Sequence, residues 1–175
     1  MSTYGDPGYH YHKAMGQYLS LLIYTLSTAE VIPWDMPVYT EQLRVYYSAL
    51  QAVINGTGKS LDLSRLSSAI STFDTAAQQV ASLSVRAQAS SDPALIDLVN
   101  HKFRDFQRGF VSQGGLPDRE FYKHVVNAPG VDTGYAPVTY PGITEAVQAG
   151  NFTLAAAWVE RTARGIERAA AILAT

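Results

Sequence analysis

Apolar side chains at Leu63, Leu66, Ile70, Phe73, Ala77 and Val80 recur with a 3-4-3-4-3 spacing, which keeps one face of an α-helix apolar along its whole length. A seam of that period is buried by packing at a shallow angle against other helices, so the chain is constrained to a helix-on-helix architecture. Similar stripes lie on either side of it. Tyr11, Met15, Tyr18, Leu22 and Leu26 run toward Pro33, and Leu43, Tyr46, Leu50 and Val53 run up to Asn55-Gly56. Leu95, Val99, Phe103, Phe106 and Phe110 follow Asp92-Pro93, and Ala155, Trp158, Thr162, Ile166, Ala169 and Leu173 follow Asn151. Asp35 with Pro37, Asp92 with Pro93, and Asn151 supply the acceptor side chains and early prolines that open helices. Asn55-Gly56 and Gly114-Gly115 close them. The reading is all-α: one domain, 1–175, forming an up-and-down bundle of four to five helices over about 9–31, 37–55, 62–90, 93–112 and 152–173. Tyr11, Tyr18 and Tyr46 fall at core positions of that bundle.

An ordered loop over about 113–150 is expected before the last helix. Pro117, Pro129, Pro137 and Pro141, with five glycines between Gly114 and Gly142, forbid periodic structure through most of it. Phe121, Tyr122, Tyr135 and Tyr140 are too many aromatics for a disordered segment. A loop this long inside a compact domain is where function is expected. Tyr135 and Tyr140 can each direct a phenol at a neighbour or a ligand.

The formal net charge is −2 and no Lys/Arg cluster exceeds a pair, which excludes a nucleic-acid backbone as partner. There is no cysteine, hence no disulfide and no thiolate site. The apolar stretch Leu19–Leu26 is interrupted by Ser20, Tyr24 and Thr25 and is too short to span a bilayer, so no direct membrane contact is expected. His10, His12, His101 and His124 are not gathered with carboxylates at ligand spacing. Asp118 and His124 share the late loop, but no Gly-x-Ser-x-Gly elbow accompanies them. The chain is expected to hold no metal or other cofactor, to contain no catalytic residue and to catalyse nothing alone. Asn55-Gly56-Thr57 and Asn151-Phe152-Thr153 are glycosylation sequons, and the same asparagines also suit a helix stop and a helix N-cap.

The string Gly115-Leu116-Pro117-Asp118-Arg119-Glu120-Phe121-Tyr122-Lys123-His124-Val125-Val126-Asn127-Ala128-Pro129, closing with Tyr140-Pro141-Gly142-Ile143, resembles the C-terminal dimerisation domain of the glutamate carboxypeptidase and transferrin receptor family. Tyr11-His12, Val31-Ile32-Pro33-Trp34-Asp35, Leu43-Arg44-Val45-Tyr46 and Phe106-Gln107-Arg108-Gly109-Phe110 look similar too, so the resemblance spans essentially the whole chain. Its motif residues here are Leu116, Pro117, Asp118, Arg119, Tyr122, His124, Pro141 and Gly142. Asp118-Arg119 is expected to form a structural clasp, the carboxylate accepting backbone N–H groups at a turn.

The resemblance implies a membrane-anchored parent whose zinc peptidase-like domain belongs to the same polypeptide, outside this chain, with this domain on the extracellular or lumenal/vacuolar side. It also implies a homodimer. In the family's carboxypeptidases a Lys–Tyr pair, on the loop corresponding to 130–141, forms part of the substrate pocket. Tyr135 matches the tyrosine, whereas Gly134 stands at the lysine position and removes one charge-assisted contact to a substrate carboxylate. The leading expectation is the homodimerisation domain of a glutamate carboxypeptidase-like zinc exopeptidase, with Tyr135 lining the pocket. The alternative is the same domain in a catalytically inactive transferrin-receptor-like or protein-sorting homologue, and zinc ligands upstream would separate the two.

Overall fold

The computed structural model describes residues 3–131 and 134–174. Among them are six α-helices: α1 (His10–Thr28), α2 (Met36–Gly56), α3 (Ser64–Ser90), α4 (Pro93–Asp105), α5 (Pro141–Gln148) and α6 (Phe152–Ala174). A small antiparallel ribbon pairs β1 (Asn127–Pro129) with β2 (Pro137–Thr139), Ala128 opposite Val138. Among the described residues the fold is mainly α-helical, with that ribbon as its one sheet. It divides into two compact units, Met1–Trp34 and Asp35–Thr175, where the sequence pattern suggests one domain. Ala29 leaves α1 with extended backbone, and Pro33 bars a helix from re-forming before Asp35.

In the first unit a 3-10 turn at Pro7–Tyr9 leads into α1. The buried Asp6 carboxylate accepts the backbone N–H groups of Tyr11 (3.2 Å) and His12 (2.9 Å) and meets His12 Nδ1 at 2.5 Å. One side chain thus satisfies two donors that a helix start leaves open. α1 buries none of its residues. Tyr11 and Tyr18, expected in a core, are exposed together with Met15, Leu19, Leu21, Leu22, Ile23, Tyr24 and Leu26. The 4-3-4-4 stripe is only part of the reason: Leu19, Leu21, Ile23 and Tyr24 lie between its members, so bulky apolar groups surround the helix and define no single inward face.

The second unit is built on α3 and α6. Every member of the α3 seam, from Leu63 to Val80, is buried, and so are Ala155, Trp158, Thr162, Ile166, Ala169 and Leu173 on α6. Arg65 and Glu167 join the two helices as a bidentate ion pair. α2 starts where the Asp35 carboxylate accepts Val38 N–H (3.1 Å) and packs Leu43 and Leu50 against the unit's core. Tyr46, on the same stripe, is half-buried. α4 starts at Asp92, whose carboxylate accepts Ala94 N–H (3.0 Å), with Pro93 in the first turn. Buried Lys102 reaches the far end of α6 and donates to Leu173 O at 3.0 Å, satisfying a helix-end carbonyl. Burial holds its ammonium below the usual lysine range.

Two boundaries differ from the sequence expectation. The helix expected over 93–112 stops at Asp105 and tightens into a 3-10 segment, Phe106–Phe110. That segment keeps Phe106 and Phe110 buried, where they join Phe73 and Tyr39; Tyr39 stacks on Phe110 at 5.9 Å and meets Phe106 edge-on at 5.3 Å. Burial, with Tyr46 nearby, pushes the Tyr39 phenol up to about 12. The second difference lies in the loop expected over 113–150, which contains β1, β2 and α5. Pro141 occupies the first turn of α5, where its missing N–H leaves no hydrogen bond unmade. The cap before it, Tyr140, takes left-handed backbone (φ 45) and is fully buried, its hydroxyl donating to Leu43 O at 2.9 Å. Burial raises that phenol well above its ordinary range, so Tyr140 directs its hydroxyl at a neighbour within the core.

Candidate functional site

The described residues of 115–145 form a hairpin-based projection whose base, with Leu116, Val125, Val126 and Tyr140, is buried in the core. Leu116 is buried and anchors a tight turn in which Arg119 N–H donates to Leu116 O (3.1 Å) and Leu116 N–H to Tyr122 O (2.8 Å). Asp118 has left-handed backbone (φ 56) in that turn. Its carboxylate accepts no backbone N–H among the described residues, so the expected Asp118 clasp is not formed. Asp118 is exposed to solvent. The clasp is made by Arg119 instead. Its Nη2 meets Glu145 Oε2 at 2.5 Å, and its Nη1 donates to Pro129 O at 2.5 Å. Glu145 Oε1 accepts Val131 N–H at 3.2 Å. One nearly buried ion pair therefore grips both Pro129 and Val131, where the chain leaves β1 for the loop. Tyr122 is half-buried, and the Arg119 guanidinium stands over its ring at 5.7 Å.

Beyond the clasp the loop closes on itself through Gly130 N–H to Ala136 O (2.9 Å) and Gly134 N–H to Gly130 O (2.9 Å); residues 132–133 lie outside the described ones. Tyr135 stands at this tip with 94% of its surface exposed. Gly134 has φ +62, and among the described residues nothing lies within 4 Å of where a Cβ would stand; a side chain there would take a disfavoured backbone. Beside the clasp, Pro117, Asp118, Val131, Gly142, Glu145 and Leu154 line a hollow of about 220 Å³. Phe121, 76% exposed, lies against Tyr122 on the turn.

His124 and Gly142 are structural supports of this projection. His124 Nδ1 accepts Asn127 N–H at 3.1 Å at the start of β1, and its ring meets Phe110 at 5.3 Å. It does not pair with Asp118. Desolvation by burial is the main influence on His124 and lowers its pKa. Pro141 and Gly142 are buried, and a Cβ at Gly142 would fall 2.2 Å from the Trp158 ring, so only glycine allows α5 to lie this close to α6. Of the residues singled out from the sequence, Leu116, Arg119, Tyr122 and His124 converge on the base of the projection. Tyr135 stands at its tip, and Asn55 and Asn151 are exposed elsewhere. Glu145 and Tyr39 escaped sequence reasoning. Glu145 lies on α5 a few residues after Pro141-Gly142, and its pairing with Arg119, 26 residues away, has no local sequence signal.

Among the described residues no three His, Asp or Glu side chains form a group that could hold a metal ion. No helix among them is long and apolar enough to cross a membrane.

Residues 61–174 match the transferrin receptor-like dimerisation domain family. A probable glutamate carboxypeptidase from Arthroderma benhamiae is 49% identical over 177 residues, covering 100% of this chain and 24% of that protein. A probable glutamate carboxypeptidase from Arabidopsis thaliana is 27% identical over 180 residues, covering 99% of this chain and 26% of that protein. An inactive zinc metalloprotease from Schizosaccharomyces pombe is 25% identical over 181 residues, covering 97% of this chain and 22% of that protein. The chain thus spans about a quarter of the length of the curated relatives it matches.

Proposed function

The chain belongs to the transferrin receptor-like dimerisation domain family, and from that premise we propose that it is the homodimerisation domain of a glutamate carboxypeptidase-like zinc exopeptidase whose 130–136 loop closes one wall of the substrate pocket. The observation that carries this reading is the contrast within the projection: a base held by Arg119, Glu145 and Tyr122, and a tip presenting Tyr135 with 94% of its surface exposed. A clamped base lowers the entropy that the tip loses when it docks on another surface. The Tyr135 phenol can donate to a substrate carboxylate. Gly134 offers no ammonium, so recognition rests on that hydroxyl and on the rest of the pocket. Peptide-bond hydrolysis belongs to the remaining three-quarters of the polypeptide, which would hold the zinc; among the described residues of this chain no three His, Asp or Glu side chains group as a metal site.

Assembly is supported by α1, which exposes Leu19, Leu21, Leu22, Ile23 and Leu26 along one helix. An apolar surface of that density is expected to be covered in the assembled protein. A closed two-fold dimer is the usual arrangement for such chains.

Tyr135→Phe in the full-length parent tests the pocket role. With a hydrogen bond to a charged group contributing ~1.5–3 kcal/mol, the expected result is a KM for a dipeptide with an acidic C-terminal residue raised about tenfold or more, with kcat little changed. Unaltered KM would remove Tyr135 from the pocket. The second reading, a dimerisation domain in an inactive homologue, is favoured by the Schizosaccharomyces pombe relative. Metal analysis of the purified parent decides: bound zinc supports the peptidase, and a zinc-free protein without hydrolytic activity supports the inactive homologue.

A further inference from the structure

Two of the chain's four asparagines, Asn55 and Asn151, lie in sequons, and the fold brings both to one end of the second unit. Asn55 is on the last turn of α2 and Asn151 precedes α6. Gly58–Ser60 and Ala149–Thr153 form the two sides of a shallow hollow, and Lys59 and Ser60 also line the adjoining hollow that includes Asn55. Lys59 Nζ lies 4.9 Å over the Phe152 ring, tying the two sequon segments together. Asn55, Thr57, Asn151 and Thr153 are all exposed.

The atoms used by the fold are not those that a glycan needs. Asn151 caps α6 by accepting Leu154 N–H on Oδ1 at 3.0 Å, whereas an N-glycan is attached through Nδ2. The capping oxygen survives as the carbonyl of the substituted amide. Among the described residues neither Asn151 Nδ2 nor the Asn55 carboxamide has a protein partner, so substitution at either nitrogen breaks no hydrogen bond. The ambiguity between cap and sequon at Asn151 therefore dissolves: the two roles use different atoms.

We propose that Asn55 and Asn151 both carry N-linked glycans, and that this end of the domain faces open solvent, outside the contacts with the peptidase-like portion and the partner subunit. In each attachment the amide nitrogen bonds to the anomeric carbon of an oligosaccharide carried on a lipid pyrophosphate. The C1–O bond to the pyrophosphate breaks, the lipid pyrophosphate leaves with the electron pair, and the nitrogen loses one proton to the transferring enzyme. The step occurs on the unfolded sequon, and the folded structure accommodates its product.

The test is glycopeptide mapping of the full-length protein made in a eukaryotic secretory host, with enzymatic deglycosylation in ¹⁸O-water. The expected result is ¹⁸O-labelled aspartate at both 55 and 151. Asn55→Gln and Thr153→Ala should each remove one step of gel mobility and leave the oligomeric state unchanged; Thr153→Ala spares the Asn151 cap. An unlabelled residue at either position, with glycans found elsewhere in the polypeptide, overturns the proposal alone. A protein unglycosylated throughout overturns it together with the lumenal placement of the parent. Loss of the dimer on deleting either sequon would contradict the open-face assignment.

Discussion

Helices α1 and α6 are both long and apolar, yet α6 buries ten of its residues and α1 buries none. The difference is in what the apolar positions are made of. On α6 the buried set is largely small, with Ala155, Ala163, Gly165, Ala169 and Ala170 beside Trp158, Ile166 and Leu173, which lets α3 and the 106–110 segment approach its axis closely. α1 carries tyrosines, leucines and an isoleucine around its circumference, a surface suited to being covered from outside. Apolar periodicity shows that a helix face is destined for burial; the identity of the covering surface needs other information.

The contrast is broken most forcefully from the α6 side. Trp158→Ala should lower the unfolding free energy by about 3–5 kcal/mol, as expected for emptying a large aromatic site, measured by urea denaturation of the chain. A loss below about 1 kcal/mol would mean that α6 is not the spine of the core. Next comes Arg119→Ala, which leaves the nearly buried Glu145 carboxylate without its partner. A cost of about 3 kcal/mol is expected, with faster amide exchange at Val131; unchanged exchange would mean that the loop base is held by other contacts.

His124 supplies a pH dependence from the same projection. Its folded pKa lies below the unfolded value near 6.5, so the unfolded state binds the proton more readily. Stability is fully present above the unfolded pKa and falls as pH drops through the folded pKa. Thermal melts between pH 7.5 and 5 should show Tm declining, and His124→Gln should flatten that decline; an equal slope in both proteins would assign it to other groups. Asn151→Ala should cost about 1 kcal/mol through loss of the α6 cap, and Asn151→Asp much less. The smallest effect is expected on α1. Ile23→Lys, at a position 66% exposed, should change the isolated chain's unfolding free energy by less than about 0.5 kcal/mol, while lowering the Tm of the full-length protein. A full-length protein indifferent to Ile23→Lys would show that α1 stays uncovered in the assembly.

The core was legible where one period met one consistent neighbour. The α3 and α6 stripes, and the caps Asp35, Asp92 and Asn151, follow from spacing and side-chain chemistry. α5 was hidden because Pro141-Gly142 reads as loop punctuation, although proline suits a first turn and the glycine serves contact with Trp158. The Arg119–Glu145 pair joins residues 26 apart, and no local pattern encodes a contact set by the path of a hairpin. Asp118 was the natural guess because it is adjacent to Arg119, yet its side chain is exposed and the Arg119 guanidinium reaches Glu145 instead. Tyr135 was legible as an aromatic in an irregular loop, and its pocket role came only from the resemblance; the structure places it exposed near the loop tip.

The most direct test of the central claim is sedimentation equilibrium of the full-length parent over a wide concentration range. The account predicts twice the mass of one polypeptide. A single-polypeptide mass at every concentration would contradict homodimerisation as the function of this domain.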